Sequence, residues 1–291
     1  MTEPYPPELA SLCLPSPPGA VVPYGDDPEQ FGELWPSPGG ACAVLLHGGF
    51  WRKRYRLDLM HALAGDLSGA GYTVWNLEYR RAGCPGGGWP GTFHDVIAGY
   101  RMLARLAPPC GIDLDRVTVI GHSAGGHLAL WLAARQRTRY ARPALTIGLA
   151  PVPDLVQAYQ RGLSQHAAAE LLGGTPASTP DRYQQTSPIV MLPSGCRQVI
   201  VHGTADDAVP FDLSVHYTAA ARAAGDDCRL VLLPQAGHIE LIDPRTTAWR
   251  AVKGLLPRAV AGAAREEHGT NNHARDAEAP KSSPPAPPVA L

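Results

Sequence analysis

VTVIGHSAGGHLALWLAA, at residues 117–134, carries the strongest structural signal in the chain. Residues 117–120 are apolar enough for a buried strand, and residues 124–135 suit a helix. Gly121-His122-Ser123-Ala124-Gly125 lies at their junction. A nucleophile on a tight strand-to-helix turn needs small neighbours, and the helix N-terminus stabilises negative charge. The stretch therefore predicts a nucleophilic Ser123, although GxSxG also arises by chance and serine is a favoured helix cap.

Short apolar runs alternate with helix-length segments on both sides of this stretch. Such alternation is typical of parallel strands joined by crossover helices. Central strands are predicted at 43–46, 73–77, 117–120, 145–149, 198–201 and 230–233, with an antiparallel edge hairpin within 24–35. Helices are predicted at 57–68, 93–106, 124–135, 212–224 and 245–256. The pattern indicates an α/β fold with a mostly parallel central sheet and helices on both faces.

The predicted domain organisation has one large unit between two weaker ends. A chain of 291 residues suits a single α/β domain, which we place at residues 20–263. Residues 1–19 are rich in proline and are expected to be extended. Residues 264–291 lack apolar periodicity and are expected to be disordered. Residues 152–187 break the strand–helix rhythm with one or two short helices and are a possible lid.

Composition excludes several classes of function. The net charge is −1, from 25 basic and 26 acidic residues, so the chain lacks the basic surface of a nucleic-acid-binding protein. No run approaches eighteen apolar residues, and no basic segment leads into an apolar one at the start. The six cysteines are scattered and never form a CxxC pair. These features predict a soluble cytoplasmic protein with reduced thiols.

A second motif precedes the serine in the chain. His47-Gly48-Gly49-Phe50-Trp51 follows the predicted strand at 43–46, a position from which a loop can donate a backbone N–H to an oxyanion beside Ser123. Gly48 and Gly49 would let the backbone approach a substrate carbonyl, and the Ala124 N–H would complete the oxyanion hole. The plainer interpretation is a Gly-Gly turn whose aromatic neighbours only pack.

A base and an orienting acid should follow Ser123 in the order acid, then histidine. Most downstream histidines fall on helices, at a strand end or in the tail. His238 follows the predicted strand at 230–233 in a loop from which an imidazole could reach the serine, so it is the candidate base. Asp206 and Asp207 follow the strand at 198–201, and either carboxylate could face the histidine loop.

Together, HGGFW at 47–51, GHSAGGHLA at 121–129 and HGTADDAVP at 202–210 resemble the α/β-hydrolase superfamily, in particular its kynurenine formamidase and small carboxylesterase branch. The resemblance covers roughly residues 20–257. Its HGxxDxxVP pattern aligns the acid with Asp206. It implies acyl transfer from an ester or a formyl amide through Ser123, His238 and Asp206, with neither metal nor organic cofactor.

The resemblance leaves the substrate open. A small-molecule ester is the first expectation, and a formyl amide such as N-formylkynurenine, cleaved by an arylformamidase, is the alternative. The segment 83–90 contains more glycine than we expect at this place in an arylformamidase. Phe50, Trp51 and Trp89 could line an apolar substrate pocket or could simply pack. A non-catalytic binding protein of the same fold is a third hypothesis, against which the complete set of Ser, Asp and His argues.

Overall fold

The computed structural model describes residues 4–13, 19–135 and 142–259. These residues form an eight-stranded sheet in the order β1-β2-β4-β3-β5-β6-β7-β8. The strands are β1 Ala20–Pro23, β2 Phe31–Trp35, β3 Cys42–Leu46, β4 Thr73–Leu77, β5 Val117–His122, β6 Leu145–Leu149, β7 Gln198–Gly203 and β8 Cys228–Leu233. Strand β2 is antiparallel to both of its neighbours, and the remaining pairs are parallel. The predicted α/β architecture is confirmed. The antiparallel pair at one edge is also present, but its first strand, Ala20–Pro23, lies before the predicted range of 24–35.

Helices connect the strands. They are α1 Pro7–Ala10, α2 His61–Gly69, α3 Gly91–Arg101, α4 Leu103–Cys110, α5 Ala124–Arg135, α6 Leu155–Gln160, α7 Ala167–Leu172, α8 Pro180–Thr186, α9 Asp212–Ala223 and α10 Thr247–Lys253. The helix predicted at 93–106 is divided at Met102 into α3 and α4. The helix predicted at 57–68 begins as the 3-10 turn Leu57–Met60 and only then becomes α2. None of the helices in the described ranges is both long and apolar enough to span a membrane.

The central strands are buried on both faces. Every residue of β3, β4, β5 and β6 is buried. Side chains alternate between two apolar clusters, since Val44 and Leu46 belong to one and Ala43 and Leu45 to the other. Successive side chains of a strand point to opposite faces, so helices must cover both. This double burial explains why the strands are uniformly apolar.

The segment after β6 leaves the sheet at the carboxyl end of that strand. It contains three short helices, α6 to α8, where one or two were predicted. Leu171, Leu172 and Tyr183 are buried in the main apolar cluster. Residues 152–187 therefore pack on the domain through apolar side chains.

The N-terminal segment, residues 4–13, differs from the expectation of an extended chain. Pro7–Ala10 is a short helix that has proline in its first turn, where the fixed φ of proline suits a helix start. Leu12 is fully buried, and the Ala62 N–H donates to its carbonyl oxygen at 3.1 Å. Burial of Leu12 and this hydrogen bond help to hold the segment on the domain. The tail expected to be disordered, residues 264–291, lies outside the described residues.

The start of helix α5 lies so close to the end of β3 that no side chain would fit between the two backbones. A Cβ on Gly125 would overlap the carbonyl oxygens of Leu46 and His47. A Cβ on Gly121 would overlap the carbonyl oxygen of Gly125. The glycines of the motif therefore permit backbone-to-backbone contact between the nucleophile turn and the neighbouring strand.

Gly125→Ala should lower the free energy of unfolding by about 3 kcal/mol or more, because backbone atoms cannot yield as a flexible side chain can. Gly69→Ala is the matched control, since nothing lies within 4 Å of a Cβ at that helical position. The control should be neutral or stabilise by up to about 1 kcal/mol. Urea denaturation measures both. A Gly125→Ala variant as stable as wild type would contradict the steric argument.

Candidate active site

Ser123 lies at the turn between β5 and α5. Its φ is +55°, in the left-handed region that few residues other than glycine adopt. The Ser123 N–H donates to Leu149 O at 2.8 Å, and the His127 N–H donates to Ser123 O at 3.0 Å. These bonds tie the strained residue to β6 and to α5. The side chain is thus held at the carboxyl edge of the sheet and at the start of a helix.

Asp206 and His238 lie on two neighbouring loops. Asp206 follows β7, and His238 follows β8 in the chain. His238 Nδ1 donates to Asp206 Oδ2 at 2.6 Å. Because Nδ1 is engaged by the carboxylate, Nε2 is the ring atom available to a serine hydroxyl. Asp207, the other candidate acid, is exposed.

A second histidine contacts the same carboxylate oxygen. His202 Nε2 lies 3.1 Å from Asp206 Oδ2 and donates to Val209 O at 2.9 Å. Asp206 Oδ1 accepts from the Ala208 and Val209 N–H groups at 2.9 and 2.8 Å. Burial opposes the charge of Asp206, but the hydrogen bonds from His202 and His238 outweigh it and hold the pKa of Asp206 well below its usual range. Asp206 is therefore an anion near neutral pH.

Ser123 and His238 line one cavity of about 420 Å³, part of which is open to solvent. His122 lines it as well, and its Nε2 donates to the backbone oxygen of His238 at 3.0 Å. Burial, and then the proximity of His238, hold the pKa of His122 well below its usual range. A neutral His122 thus supports the loop of His238 and adds no charge beside it.

The Gly48–Gly49 backbone forms another wall of this cavity. Gly48 packs so closely on the nucleophile turn that a Cβ there would lie 3.0 Å from His122 Nδ1 and 3.1 Å from Ser123 Cβ. Ala124, the third residue predicted for an oxyanion hole, begins α5. The first N–H groups of a helix have no partner within the helix. Backbone donors from two elements are therefore available next to Ser123.

The three aromatic residues predicted for a substrate pocket lie in different places. Phe50 lines the cavity. Trp51 is buried in the core, where its Nε1 donates to His127 Nδ1 at 3.2 Å. Trp89 is half-buried and packs edge-on against Phe93 with ring centroids 5.4 Å apart. The structure therefore brings only Phe50 to the cavity that contains Ser123.

A family comparison matches the BD-FAE model to residues 38–220. The match covers the glycine loop, the Ser123 turn and Asp206. The chain belongs to the BD-FAE family. His238 lies beyond the matched range, so its place in the site depends on the contact with Asp206.

Curated relatives of this BD-FAE chain include esterases. Esterase LipC of Mycobacterium tuberculosis is 24% identical over 245 residues, which are 77% of this chain and 60% of that protein. Ethyl acetate hydrolase of Pseudomonas putida is 37% identical over 123 residues, 41% of this chain and 37% of that protein. The BD-FAE chain thus covers 60% or less of the length of these two relatives.

Solved structures share the fold. Thermogutta terrifontis esterase 2, phosphonylated by sarin, superposes with a TM-score of 0.68 at 22% identity, covering 83% of this chain and 94% of that one. A truncated carbohydrate esterase from gut microbiota superposes with a TM-score of 0.68 at 20% identity, covering 80% and 93%. The BD-FAE chain has the α/β-hydrolase fold that the motifs predicted.

Sequence reasoning missed three residues around the BD-FAE site. His122 and His202 are the variable position of GHSAG and the first residue of HGTADDAVP. Glu78 directly follows β4. An acidic residue immediately after a predicted strand was the sequence signal that could have identified it. His122 and Glu78 contact residues distant in sequence, which periodicity cannot reveal. His202 contacts Asp206, four positions later, through a loop conformation that no sequence pattern specified. Among the residues that the structure describes, no group of His, Cys, Asp or Glu side chains is arranged to hold a metal ion.

Glu78 is a buried carboxylate beneath the glycine loop. His47 Nε2 contacts its Oε1 at 2.9 Å, the Leu57 N–H donates to its Oε2 at 3.1 Å, and Arg81 is ion-paired with it. His47 Nδ1 in turn contacts Gly48 O at 2.7 Å. Burial opposes the charge, but His47 and Arg81 lower the pKa of Glu78 to about 2. A charged, fully paired group thus holds the loop from below.

Glu78→Gln should destabilise the BD-FAE domain by about 3 to 5 kcal/mol near neutral pH, because it removes the buried negative charge that pairs with Arg81 and leaves that arginine with only its second carboxylate contact, Glu29. A carboxyl with a depressed pKa contributes stability above its unfolded value of 4.5 and loses that contribution as the pH falls toward about 2. The stability difference between wild type and variant should therefore shrink as the pH falls.

Urea denaturation at about pH 6 and about pH 3 measures this difference, within the window set by the depressed pKa. Glu8→Gln, on an exposed helix position, is the control and should match wild type at both values. A Glu78→Gln deficit that stays constant between the two conditions would show that the charge of Glu78 does not stabilise the loop.

Proposed function

We propose that the protein is a serine hydrolase that cleaves esters of small acyl groups. The observation that carries this proposal is the 2.6 Å contact between His238 Nδ1 and the buried carboxylate of Asp206. His238 also lines the same cavity as Ser123. A carboxylate that holds one imidazole nitrogen prepares the other to take a proton. The esterase names of the relatives support the same chemistry.

In the first half of the proposed reaction, His238 Nε2 takes the proton of the Ser123 hydroxyl as the oxygen attacks the ester carbonyl. Asp206 stabilises the imidazolium that forms, without taking the proton. The N–H groups of the Gly48–Gly49 loop and of Ala124 stabilise the oxyanion. His238 then gives its proton to the departing alcohol, and an acyl-Ser123 ester remains.

In the second half, water enters the site from solvent. His238 takes a proton from the water as the water oxygen attacks the acyl carbonyl. The N–H groups of the Gly48–Gly49 loop and of Ala124 stabilise the second oxyanion. Collapse of this intermediate breaks the bond to Ser123 Oγ, which recovers a proton from His238. The products are a carboxylic acid and the free enzyme.

An ester is favoured over a formyl amide as the substrate. The curated relatives described above are named for ester cleavage. The amine released from an amide is a poorer leaving group than an alcohol and needs additional stabilisation. A formyl-amide activity, such as that of an arylformamidase on N-formylkynurenine, is therefore the alternative that substrate assays have to test.

The cytoplasm is the proposed location. All six cysteines are free thiols, including four that are buried. Disulfides form in oxidising compartments and are rare in the cytosol. Free thiols throughout the chain support a reducing compartment.

Wild-type enzyme should hydrolyse p-nitrophenyl acetate, and Ser123→Ala should lower kcat by about a million-fold, because the members of a triad act as a unit. Ser178→Ala, at an exposed serine away from the cavity, is the matched control and should retain full activity. Release of p-nitrophenol measures the rates. A Ser123→Ala variant with a tenth of wild-type kcat would exclude Ser123 as nucleophile.

The same assay with N-formylkynurenine separates the two substrate classes. The ester should have the higher kcat/KM. A higher value for N-formylkynurenine than for the activated ester would instead identify a formamidase.

Asp206→Asn should lower kcat/KM by about 10³- to 10⁴-fold, because an amide cannot stabilise the imidazolium or hold the required tautomer. Asp207→Asn is the matched control at the adjacent, exposed position and should stay within about twofold of wild type. Both variants are assayed with the same ester. Equal losses would mean that Asp206 has no special role.

A further inference from the structure

The cavity at Ser123 is bounded in part by a residue far from every motif. Leu9, in the N-terminal segment, lines this cavity together with Ser123 and His238. Most of the remaining side-chain wall is apolar. It is formed by Phe50, Tyr55, Leu59, Ile239 and Ile242.

The N-terminal segment is fixed on both sides of Leu9. Before it, Tyr5 Oη donates to Asp58 Oδ1 at 2.9 Å, and the Tyr5 ring stacks on Tyr55 at a centroid distance of 5.9 Å. After it, Leu12 is fully buried, and Arg245 Nη2 donates to Ser11 Oγ at 3.0 Å. The position of Leu9 is therefore set by contacts with the loop before α2 and with the loop after His238.

We propose that Leu9 limits the length of the acyl chain that the enzyme accepts. In this proposal the N-terminal segment contributes Leu9 as one wall of the site that binds the acyl group. This inference rests on the proposed function, since it assumes that Ser123 is acylated. The acyl group stays bound to Ser123 between the two half-reactions, whereas the alcohol has to leave for solvent. An apolar wall next to Ser123 suits the group that stays.

Leu9→Ala removes part of this wall, and Leu9→Trp adds bulk to it. The test measures kcat/KM of the full chain for p-nitrophenyl acetate, butyrate, hexanoate and octanoate. Leu9→Ala should raise the ratio of the hexanoate value to the acetate value by about tenfold, the size that one or two methylene groups contribute in a pocket. Leu9→Trp should lower the ratio of butyrate to acetate by a similar factor.

Leu114→Ala is the matched control. Leu114 is 38% exposed and precedes β5, so it lies at the edge of the sheet opposite Ser123. The control should leave the chain-length profile unchanged. Thermal unfolding of each variant, followed by circular dichroism, checks that the variants are folded, and the ratios between substrates are independent of the fraction of active enzyme.

An unchanged profile in both Leu9 variants, with wild-type esterase activity intact, would overturn this inference and leave the proposed function standing. The same holds if the variants change only a second series of substrates, acetate esters of alcohols of increasing size, because Leu9 would then face the alcohol. A wild-type enzyme that cleaves none of the esters would overturn the proposed function itself, and this inference with it.

Discussion

The contact between helix α5 and the end of strand β3 is the constraint on which the site depends. Gly125 lets the start of α5 lie directly on the carbonyl oxygens of Leu46 and His47. Gly48 follows them at once in the chain and lies against Ser123. A larger residue at 125 would separate the nucleophile turn from the glycine loop. The distance between the Ser123 side chain and the Gly48–Gly49 backbone is thus set by backbone packing.

Two buried carboxylates support the site from opposite sides. Glu78 holds the glycine loop through His47, and Asp206 holds His238. A buried charge is costly unless it is fully hydrogen-bonded. Each carboxylate therefore has several donors, and for both the pKa is lowered in spite of burial. Each paired anion in turn orients the histidine that contacts it, His47 beside Glu78 and His238 beside Asp206.

The local part of this arrangement could be predicted from the sequence, whereas the long-range part could not. The strands and the Ser123 turn were predictable because glycine spacing and apolar runs act over a few residues. The burial of Trp51 was not, since its partner His127 is 76 positions away in the chain. His202 was missed for a different reason, since Asp206 is only four positions away and the conformation of the loop after β7, which no sequence pattern specified, brings the two side chains together. Leu9 was hidden by a proline-rich context that resembles a loose terminus.

Those long-range contacts converge on the glycine loop and explain how its backbone is maintained. Gly49, Phe50 and Trp51 all have positive φ, which costs energy at the two residues that are not glycine. The 152–187 segment holds one side of the loop, because Arg52 is ion-paired with Glu170 at 2.7 Å. The N-terminal segment holds the other side through the stacking of Tyr5 on Tyr55. The two segments outside the sheet therefore add contacts on either side of a strained loop that Glu78 holds from below.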